Sequence, residues 1–392
     1  MNRLDVACVA LSVLALVGGY RLGLVHRLAA WAGIAAGGLA ALWLIPRIVG
    51  KVDPNADFAT EGPRRLLAAA AVLGVGALLG QLLGSLVGSR LRKAVADRRL
   101  GRHDSVLGAV LGLVGLLVGL WVSLPSMAQV PGWPSREARG SMVARWLNEA
   151  LGSPPGLLDN LGRTVGITGL PKVFEDLRQT PEVEAPPGGP LVSAEVLARA
   201  EASTLKVMGP ACGQIQTGSG WVVEPGLVVT NAHVVAGTES VRLEDADGTR
   251  FAADVVAFDP RHDLALIAAP GLAAAPLPTG DVEHGDVGVA LGYPGGGPFS
   301  VSNFVVSRRI SAIGRDIYDR SSIKRDIYEL GADLHPGNSG GPMVDTGGRV
   351  AGVVFAIAPD RGTVAYAITN DQVQELLGTQ RDESTSTGPC TG

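Results

Sequence analysis

The apolar residues of this chain are distributed in two different patterns. In the first third, apolar residues form long stretches with few charges, at residues 4–20, 28–50, 66–89 and 105–126. A run of about 20 apolar residues is long enough for a helix to cross the hydrocarbon core of a bilayer. We therefore predict a domain of four transmembrane helices over residues 1–126. If the first stretch lay at the membrane surface instead, three spans would remain and the two chain ends would face opposite sides.

Beyond residue 190 the apolar residues form short runs that are rich in β-branched side chains and separated by Gly, Pro and Asp. These runs lie at residues 222–223, 228–230, 287–291, 301–306 and 350–355. Such a pattern is typical of strands joined by turns. It predicts a closed all-β domain over residues 191–380, with a helix near residues 370–377 and a short tail over 381–392. The pattern alone does not distinguish a barrel from a sandwich.

Residues 127–190 join these two parts and contain nine prolines. We interpret this segment as a tether, with an amphipathic helix predicted over residues 135–151. Its end, Pro187-Gly188-Gly189-Pro190, is predicted to be flexible and exposed. Exposed chain of this composition is a preferred site of proteolysis. Residues 181–191 are therefore a candidate autocleavage site, and an ordinary linker is the alternative.

Charged residues between the apolar stretches predict an orientation for the membrane domain. The segment between the third and fourth stretches carries six basic and two acidic residues: Arg90, Arg92, Lys93, Arg98, Arg99, Arg102, Asp97 and Asp104. Because Lys and Arg in short loops stay cytoplasmic, we place this loop inside and both chain ends outside. The all-β domain is then periplasmic or extracellular. Basic residues number 13 against 6 acidic ones up to residue 126, and 20 against 31 afterwards, which disfavours a nucleic-acid partner.

Three residues of the all-β part are candidates for nucleophilic catalysis. His233 lies in the string Thr-Asn-Ala-His-Val-Val, Asp263 in Arg-His-Asp-Leu-Ala-Leu, and Ser339 in Gly-Asn-Ser-Gly-Gly-Pro. A serine hydroxyl becomes a good nucleophile when an imidazole removes its proton. A carboxylate then holds that imidazole in one tautomer and stabilises the imidazolium. The chain order His, Asp, Ser is that of chymotrypsin-like proteases.

Two further features of the Ser339 region bear on the reaction. The N–H groups of Gly337 and Ser339 are predicted to form an oxyanion hole. Asp333 lies six residues before Ser339, where trypsin-like enzymes place the acid that binds Arg or Lys side chains. Asp333 is therefore a candidate specificity residue, and a loop carboxylate without that role is the alternative.

Residues 195–378 resemble bacterial proteases of the HtrA/DegP-like branch of the trypsin-like superfamily. The resemblance is carried by the strings at residues 218–223, 227–235, 258–266, 291–297 and 337–342. It implies two six-stranded antiparallel barrels with the triad in the cleft between them. Asn338 stands where trypsin-type zymogens carry an aspartate, so activation by an ion pair with a new N-terminus is not expected. The 53 residues after Ser339 are too few for a PDZ domain.

With its four apolar stretches, the whole chain resembles the actinobacterial membrane-anchored acid-resistance proteases of the MarP type. In these, a colicin-V-production-like membrane domain precedes a trypsin-like domain. The resemblance implies an envelope protease that processes an extracytoplasmic protein under acid or oxidative stress. Its partners would be a protein or peptide substrate and the lipid bilayer.

Cysteines and histidines complete the candidate chemistry. Cys212 and Cys390 are the two cysteines of the soluble part, and such a pair in an oxidising compartment predicts a disulfide, with two free thiols as the alternative. The histidines outside the triad show no metal-ligand spacing, and we expect no metal or cofactor. Two other functions stay open. One is a catalytically silent protease fold that binds a partner, and the other is a transporter-like membrane domain with an accessory protease.

Overall fold

The structure is a computed structural model of the chain. It describes residues 2–49, 58–95, 101–152, 173–174, 179–211, 214–379 and 383–391. The chain divides into two compact units. Unit 1 comprises Met1–Ser126 and Ser141–Gly166, and unit 2 comprises Met127–Gly140 and Ile167–Gly392.

Unit 1 is helical. Its described helices are α1 (Arg3–Leu22), α2 (Leu24–Val49), α3 (Phe58–Val95), α4 (Gly101–Met127) and, numbered in chain order, α6 (Met142–Leu151). The first four are long and apolar enough to cross a membrane, by length and composition. Each of the four begins before the corresponding apolar stretch of the sequence. Three of them also end after it.

Helices α2 and α3 pack closely through small residues. A Cβ atom added to Gly33 would lie 2.1 Å from the carbonyl oxygen of Gly80, and one added to Gly37 would lie 2.1 Å from that of Gly76. Backbones approach this closely only where side chains are absent, which is how helices in membranes commonly pack. Larger residues at these positions would force the two helices apart.

Buried carboxylates fasten the ends of the helices in unit 1. Asp104, at the start of α4, accepts hydrogen bonds from Val25 N (2.9 Å) and Arg92 Nε (3.2 Å). Asp5, at the start of α1, accepts from Ser141 Oγ (2.6 Å) and Val143 N (3.2 Å). Both carboxylates are buried, so these hydrogen bonds offset the cost of removing their charges from water.

The region predicted as one amphipathic helix over residues 135–151 contains two helices, α5 (Trp133–Gly140) and α6. Ser141 separates them because its backbone is extended and its side chain accepts a hydrogen bond from Ala144 N (3.1 Å). A serine in this position caps a new helix. In α6, Trp146 and Met142 are exposed.

Unit 2 consists of two closed barrels with antiparallel strand pairing. The first contains β1 (Thr204–Ala211), β2 (Gln214–Glu224), β3 (Leu227–Thr230), β4 (Val241–Glu244), β5 (Arg250–Asp259) and β6 (Leu264–Ala268). The second contains β7 (Val287–Gly292), β8 (Ser300–Arg315), β9 (Ser322–Ala332), β10 (Pro342–Asp345), β11 (Val350–Ile357) and β12 (Val364–Thr369). The described helices of unit 2 are α5, α7 (Ala194–Ala202), α8 (Ala232–Val235) and α9 (Asn370–Leu377).

The predicted architecture of four apolar helices followed by a double β-barrel is confirmed. All five of the short apolar runs lie within strands, and the predicted C-terminal helix is α9. The strand order is β1-β2-β3-β6-β5-β4 in the first barrel and β10-β11-β12-β9-β8-β7 in the second. Each barrel encloses buried aliphatic residues, and Trp221 is among the largest fully buried side chains.

The described part of the tether in unit 2 is held against the second barrel. Thr180 donates from its N and Oγ1 to the buried Asp360 (2.9 and 2.6 Å). Asn303 Nδ2 donates to the carbonyl oxygens of Pro187 and Gly189 (2.8 Å each). The segment predicted to be flexible therefore has specific hydrogen bonds, although most of its residues are exposed.

The C-terminal tail lies along the first barrel. Thr385 N donates to Val255 O (2.7 Å), Gly237 N donates to Thr387 O (3.2 Å), and Thr387 Oγ1 donates to Thr238 O (3.1 Å). Residues 237 and 238 follow α8, so the tail contacts the chain just after His233. Cys8 is a free thiol, and Cys212 lies outside the described residues.

Candidate active site

His233 and Asp263 form a hydrogen-bonded pair. The single turn of α8 presents His233, and its Nδ1 lies 2.8 Å from Asp263 Oδ2 and 3.0 Å from Oδ1. The backbone N of His233 also donates to Asp263 Oδ1 (2.9 Å). The Asp263 side chain is fully buried, whereas that of His233 is 21% exposed. This arrangement holds the imidazole in one orientation, with its other nitrogen available for a proton.

Asp263 occupies a backbone conformation that is rare for a residue with a side chain. Its φ is 64°. Such strain persists only where surrounding contacts determine the conformation. One of these contacts is Asn231 Nδ2, which donates to Asp263 O (2.8 Å). Asn231 precedes α8, so one residue links the two segments that carry the pair.

Ser339 lies in the turn between β9 and β10, close to the chain that carries His233. Ser219 N donates to Ser339 O (2.8 Å). A Cβ atom added to Gly218 would lie 2.6 Å from the methyl groups of Val234 and 3.1 Å from Ser339 O. No hydrogen bond joins Ser339 Oγ to His233 Nε2 in the described part of the chain. Catalytic hydrogen bonds often form only when substrate binds.

The turn before Ser339 carries the two N–H groups that the sequence predicts to form an oxyanion hole. Gly337 has φ 103°. Within the described residues, neither Gly337 N nor Ser339 N donates a hydrogen bond to another group of the protein. Ser219 Oγ donates to Gly337 O (2.7 Å) and accepts from Tyr293 N (2.9 Å), which fixes the peptide between Gly337 and Asn338. In the described chain both N–H groups are thus without a partner, as the donors of an oxyanion hole must be before substrate binds.

Comparisons with known proteins identify the family of the chain. Residues 218–353 match the trypsin-like peptidase domain, and residues 4–152 match the colicin V production protein family. The serine protease Rv3671c of Mycobacterium tuberculosis is 34% identical over 401 residues, which cover 99% of this chain and 98% of the relative. The chain belongs to the Rv3671c-like serine protease family. The predicted resemblance and the enzyme class are therefore confirmed.

A solved structure of the same relative and a protease of another organism also match parts of this serine protease. The crystal structure of the active form of Rv3671c protease superposes with a TM-score of 0.52 at 37% identity, covering 55% of this chain and 97% of that structure. A probable periplasmic DegP-like endoprotease of Rickettsia prowazekii is 35% identical over 174 residues. This match covers 42% of the present chain and 33% of the relative.

Replacing Gly337 with alanine is expected to lower kcat/KM by about 10²- to 10³-fold, the effect of losing one oxyanion donor. The new Cβ would lie 2.5 Å from both Gly295 N and Tyr293 O, and φ at this position is 103°. The turn would have to move and turn its N–H groups away. Peptide hydrolysis by Gly362→Ala is the control, because a Cβ at Gly362 meets nothing within 4 Å. Equal loss in both variants would contradict the assignment.

In the described part of the chain, no hydrogen bond joins Asp333 to His233, Asp263 or Ser339. Asp333 is exposed, directly after β9. It lines a surface cavity of about 500 Å³ with Pro186, Pro187, Ser300, Val301, Ser302, Asn303 and His335. None of the three triad candidates lines this cavity. A role of Asp333 in substrate specificity stays a prediction.

A second His–Asp pair lies beside the first. His262 Nδ1 is 2.6 Å from Asp259 Oδ2. Burial raises the pKa of Asp259, but the hydrogen bonds and charge of His262 outweigh burial and lower this pKa below its ordinary value. Among the described residues, no group of three His, Cys, Asp or Glu side chains could hold a metal ion.

Sequence reasoning did not identify Ser219 as part of the site. Its hydroxyl joins Gly337 O to Tyr293 N across more than 70 residues of chain. In the sequence, Ser219 is one residue of a glycine-rich strand. The string at residues 218–223 resembles the family, but the serine itself carries no signal of a contact with the turn before Ser339. Nothing local marks its role.

Proposed function

We propose that this serine protease is a membrane-anchored endopeptidase in which His233, Asp263 and Ser339 form the catalytic triad. The observation that carries this assignment is the buried Asp263 carboxylate on His233 Nδ1, at 2.8 Å, beside a serine turn with two unengaged N–H groups. Each of these features is needed for acyl transfer. A protease fold that only binds a partner would not need the His233–Asp263 pair, the serine and the two N–H groups together.

In the proposed reaction, Ser339 Oγ attacks the carbonyl carbon of the scissile peptide bond. His233 Nε2 takes the hydroxyl proton, and Asp263 stabilises the imidazolium. The N–H groups of Gly337 and Ser339 bind the oxyanion of the tetrahedral intermediate. When this intermediate collapses, His233 gives its proton to the leaving amine. Water then attacks the acyl-enzyme by the same route, and the free acid leaves.

We further propose that unit 2 acts on the extracytoplasmic side of the membrane. The basic residues between the third and fourth apolar stretches support this orientation, because they favour the cytoplasmic side. The DegP-like relative is described as periplasmic. The substrate would be an envelope protein processed under acid or oxidative stress, as the resemblance implies. Autocleavage within residues 181–191 is part of the proposal.

We also propose a disulfide between Cys212 and Cys390. Cys8, one of the three cysteines of the chain, is a free thiol, which supports a pairing of the other two. The Cys390 Sγ atom would lie 3.0 Å from a Cβ atom added to Gly237, close to the end of α8. The bond would therefore hold the tail against the segment that presents His233.

Replacing Cys390 with serine is expected to lower the free energy of unfolding by about 2–4 kcal/mol, as for other disulfides that close long loops. For a domain of this size the Tm of unit 2 should fall by about 4–16 °C. Turnover should fall as well, because the tail would no longer hold residues 237 and 238. Thermal unfolding and peptide hydrolysis are measured with Cys8→Ser as the control. Identical Tm values for wild type and Cys390→Ser would rule out the bond.

Proteolysis by the full chain in lipid nanodiscs tests the proposed function. An unfolded protein such as casein is incubated with wild type and with Ser339→Ala, and the products are identified by mass spectrometry. We expect internal cleavage by the wild type only, together with a wild-type product cut within residues 181–191. Casein that is bound but left intact by both proteins would favour a binding module instead.

A further inference from the structure

The loop that carries Asp263 is held from the second barrel by a buried arginine. Arg325 lies on β9 and is 3% exposed. Its Nε donates to Arg261 O (2.9 Å), and its Nη2 donates to Arg261 O (2.5 Å) and to Arg315 O (2.9 Å). Arg261 is two residues before Asp263. The guanidinium therefore connects the Asp263 loop of one barrel to β8 and β9 of the other.

Burying a guanidinium is costly unless its charge and its donors are compensated. Burial lowers the pKa of Arg325, and the nearby negative charges of Asp263, Asp259 and Asp316 oppose this effect. In the described chain its hydrogen bonds go to backbone carbonyls rather than to a carboxylate. A cation placed in this way fixes the course of the backbone and partly offsets the burial of the Asp263 charge.

The Asp263 loop needs such support because its conformation is strained. Asp263 has φ 64°, and Asn231 Nδ2 holds its carbonyl from the first barrel. On the other side, Ile317 N donates to Pro260 O (3.1 Å), and Arg325 binds Arg261 O. The β8–β9 hairpin thus contacts two consecutive carbonyls of the loop. Of the two contacts from this hairpin, the one from Arg325 is made by a side chain, and this side chain is buried.

We propose that Arg325 is a positioning residue of the protease, which holds the 259–263 loop so that the Asp263 carboxylate stays aligned on His233. The inference rests on the proposed function of Asp263. Arg325 does not touch the reacting atoms. Its fork of N–H groups binds two carbonyls at once, which the single ammonium of lysine cannot reproduce in the same plane.

Steady-state kinetics of the full chain in nanodiscs tests the proposal with Arg325→Lys and Arg325→Met. Lys324→Met is the matched control, because Lys324 is the exposed neighbour on β9. Rates are normalised to the folded fraction, measured by thermal unfolding. We expect kcat of Arg325→Met to fall by about 10- to 100-fold with KM little changed, because small misplacements of catalytic groups have effects of this size. Arg325→Lys should fall less, and the control should match the wild type.

Chemical rescue separates positioning from a general structural role. Arg325→Ala leaves space for free guanidinium, which at millimolar concentration should raise kcat of this variant and leave wild type and Lys324→Met unchanged. If folded Arg325→Lys had the kcat of the wild type, or if only its KM changed, the proposal would be overturned. This test holds even if Arg325→Met fails to fold. Asp263→Asn is measured in parallel. If that variant kept full activity, the proposed triad would fail instead, so the two failures are distinguishable.

Discussion

Replacing Ser339 with alanine is expected to lower kcat by about 10⁶-fold, the loss seen when the nucleophile of a serine protease is removed. Methyl cannot form the acyl bond, so the two-step route through an ester is lost. The oxyanion N–H groups of Gly337 and residue 339 remain, and they should leave a small residual rate above that of water. The measurement is hydrolysis of a fluorogenic peptide under single-turnover conditions. The Ser339 turn is part of a packed loop, and alanine fits in place of serine.

The same variant should keep its Tm and its affinity for substrate. Unit 2 is held by buried strands on both sides of the turn, and Ser339 O still accepts from Ser219 N (2.8 Å). A fall of only a few-fold in kcat would mean that another group is the nucleophile. A large fall in Tm would mean that the loss of activity reflects unfolding.

Replacing Asp263 with asparagine is expected to lower kcat by about 10⁴-fold, as for the corresponding change in the serine-protease triad. Both carboxylate oxygens lie within 3.0 Å of His233 Nδ1, so an amide there would stabilise the wrong tautomer. His233 Nε2 would then carry the proton and could not accept another from Ser339. The KM should change little, because Asp263 is fully buried and away from substrate.

The control for this change is Asp247→Asn, which alters an exposed carboxylate of the same barrel. That variant should keep wild-type kcat, since Asp247 contacts neither His233 nor the serine turn. If Asp263→Asn retained more than about a tenth of the wild-type rate, the effect expected for a triad aspartate would be absent. His233 would then need another orienting group.

The sequence predicted the four apolar helices well because hydropathy is a local property. Four apolar stretches correspond to α1–α4, but the helices are longer than the stretches. In α3, for example, the helix includes Arg92, whose side chain binds Asp104 at the start of α4. Polar residues at helix ends lower the hydropathy without breaking the helix. The apolar pattern therefore locates a helix more reliably than it locates its ends.

The candidate triad could be proposed from the sequence because each member lies in a short string whose chain order is characteristic. The contacts that hold the triad could not. Arg325 binds a carbonyl 64 residues away, and Ser219 joins segments that are 118 and 74 residues distant. In a strand, a buried arginine has the same local sequence as an exposed one. Only the closure of the two barrels shows which side it faces.

The tether shows a similar limit. Its composition predicted a flexible segment, yet Asn303 on β8 binds two of its carbonyls. Proline and glycine disfavour helices and strands but do not prevent an extended segment from binding a neighbouring surface. The break between α5 and α6 was also missed, because Ser141 caps a helix only where its own backbone is extended, which the sequence does not show.

Labelling of the full chain with a fluorophosphonate, before and after reduction of disulfides, is the sharpest test of the proposed triad. This reagent forms a covalent bond with a serine that an adjacent base has activated. We expect labelling of the wild type at Ser339 and none of Ser339→Ala, with slower labelling after reduction. Absence of labelling in both redox states, or labelling of another residue in Ser339→Ala at the wild-type rate, would contradict the triad.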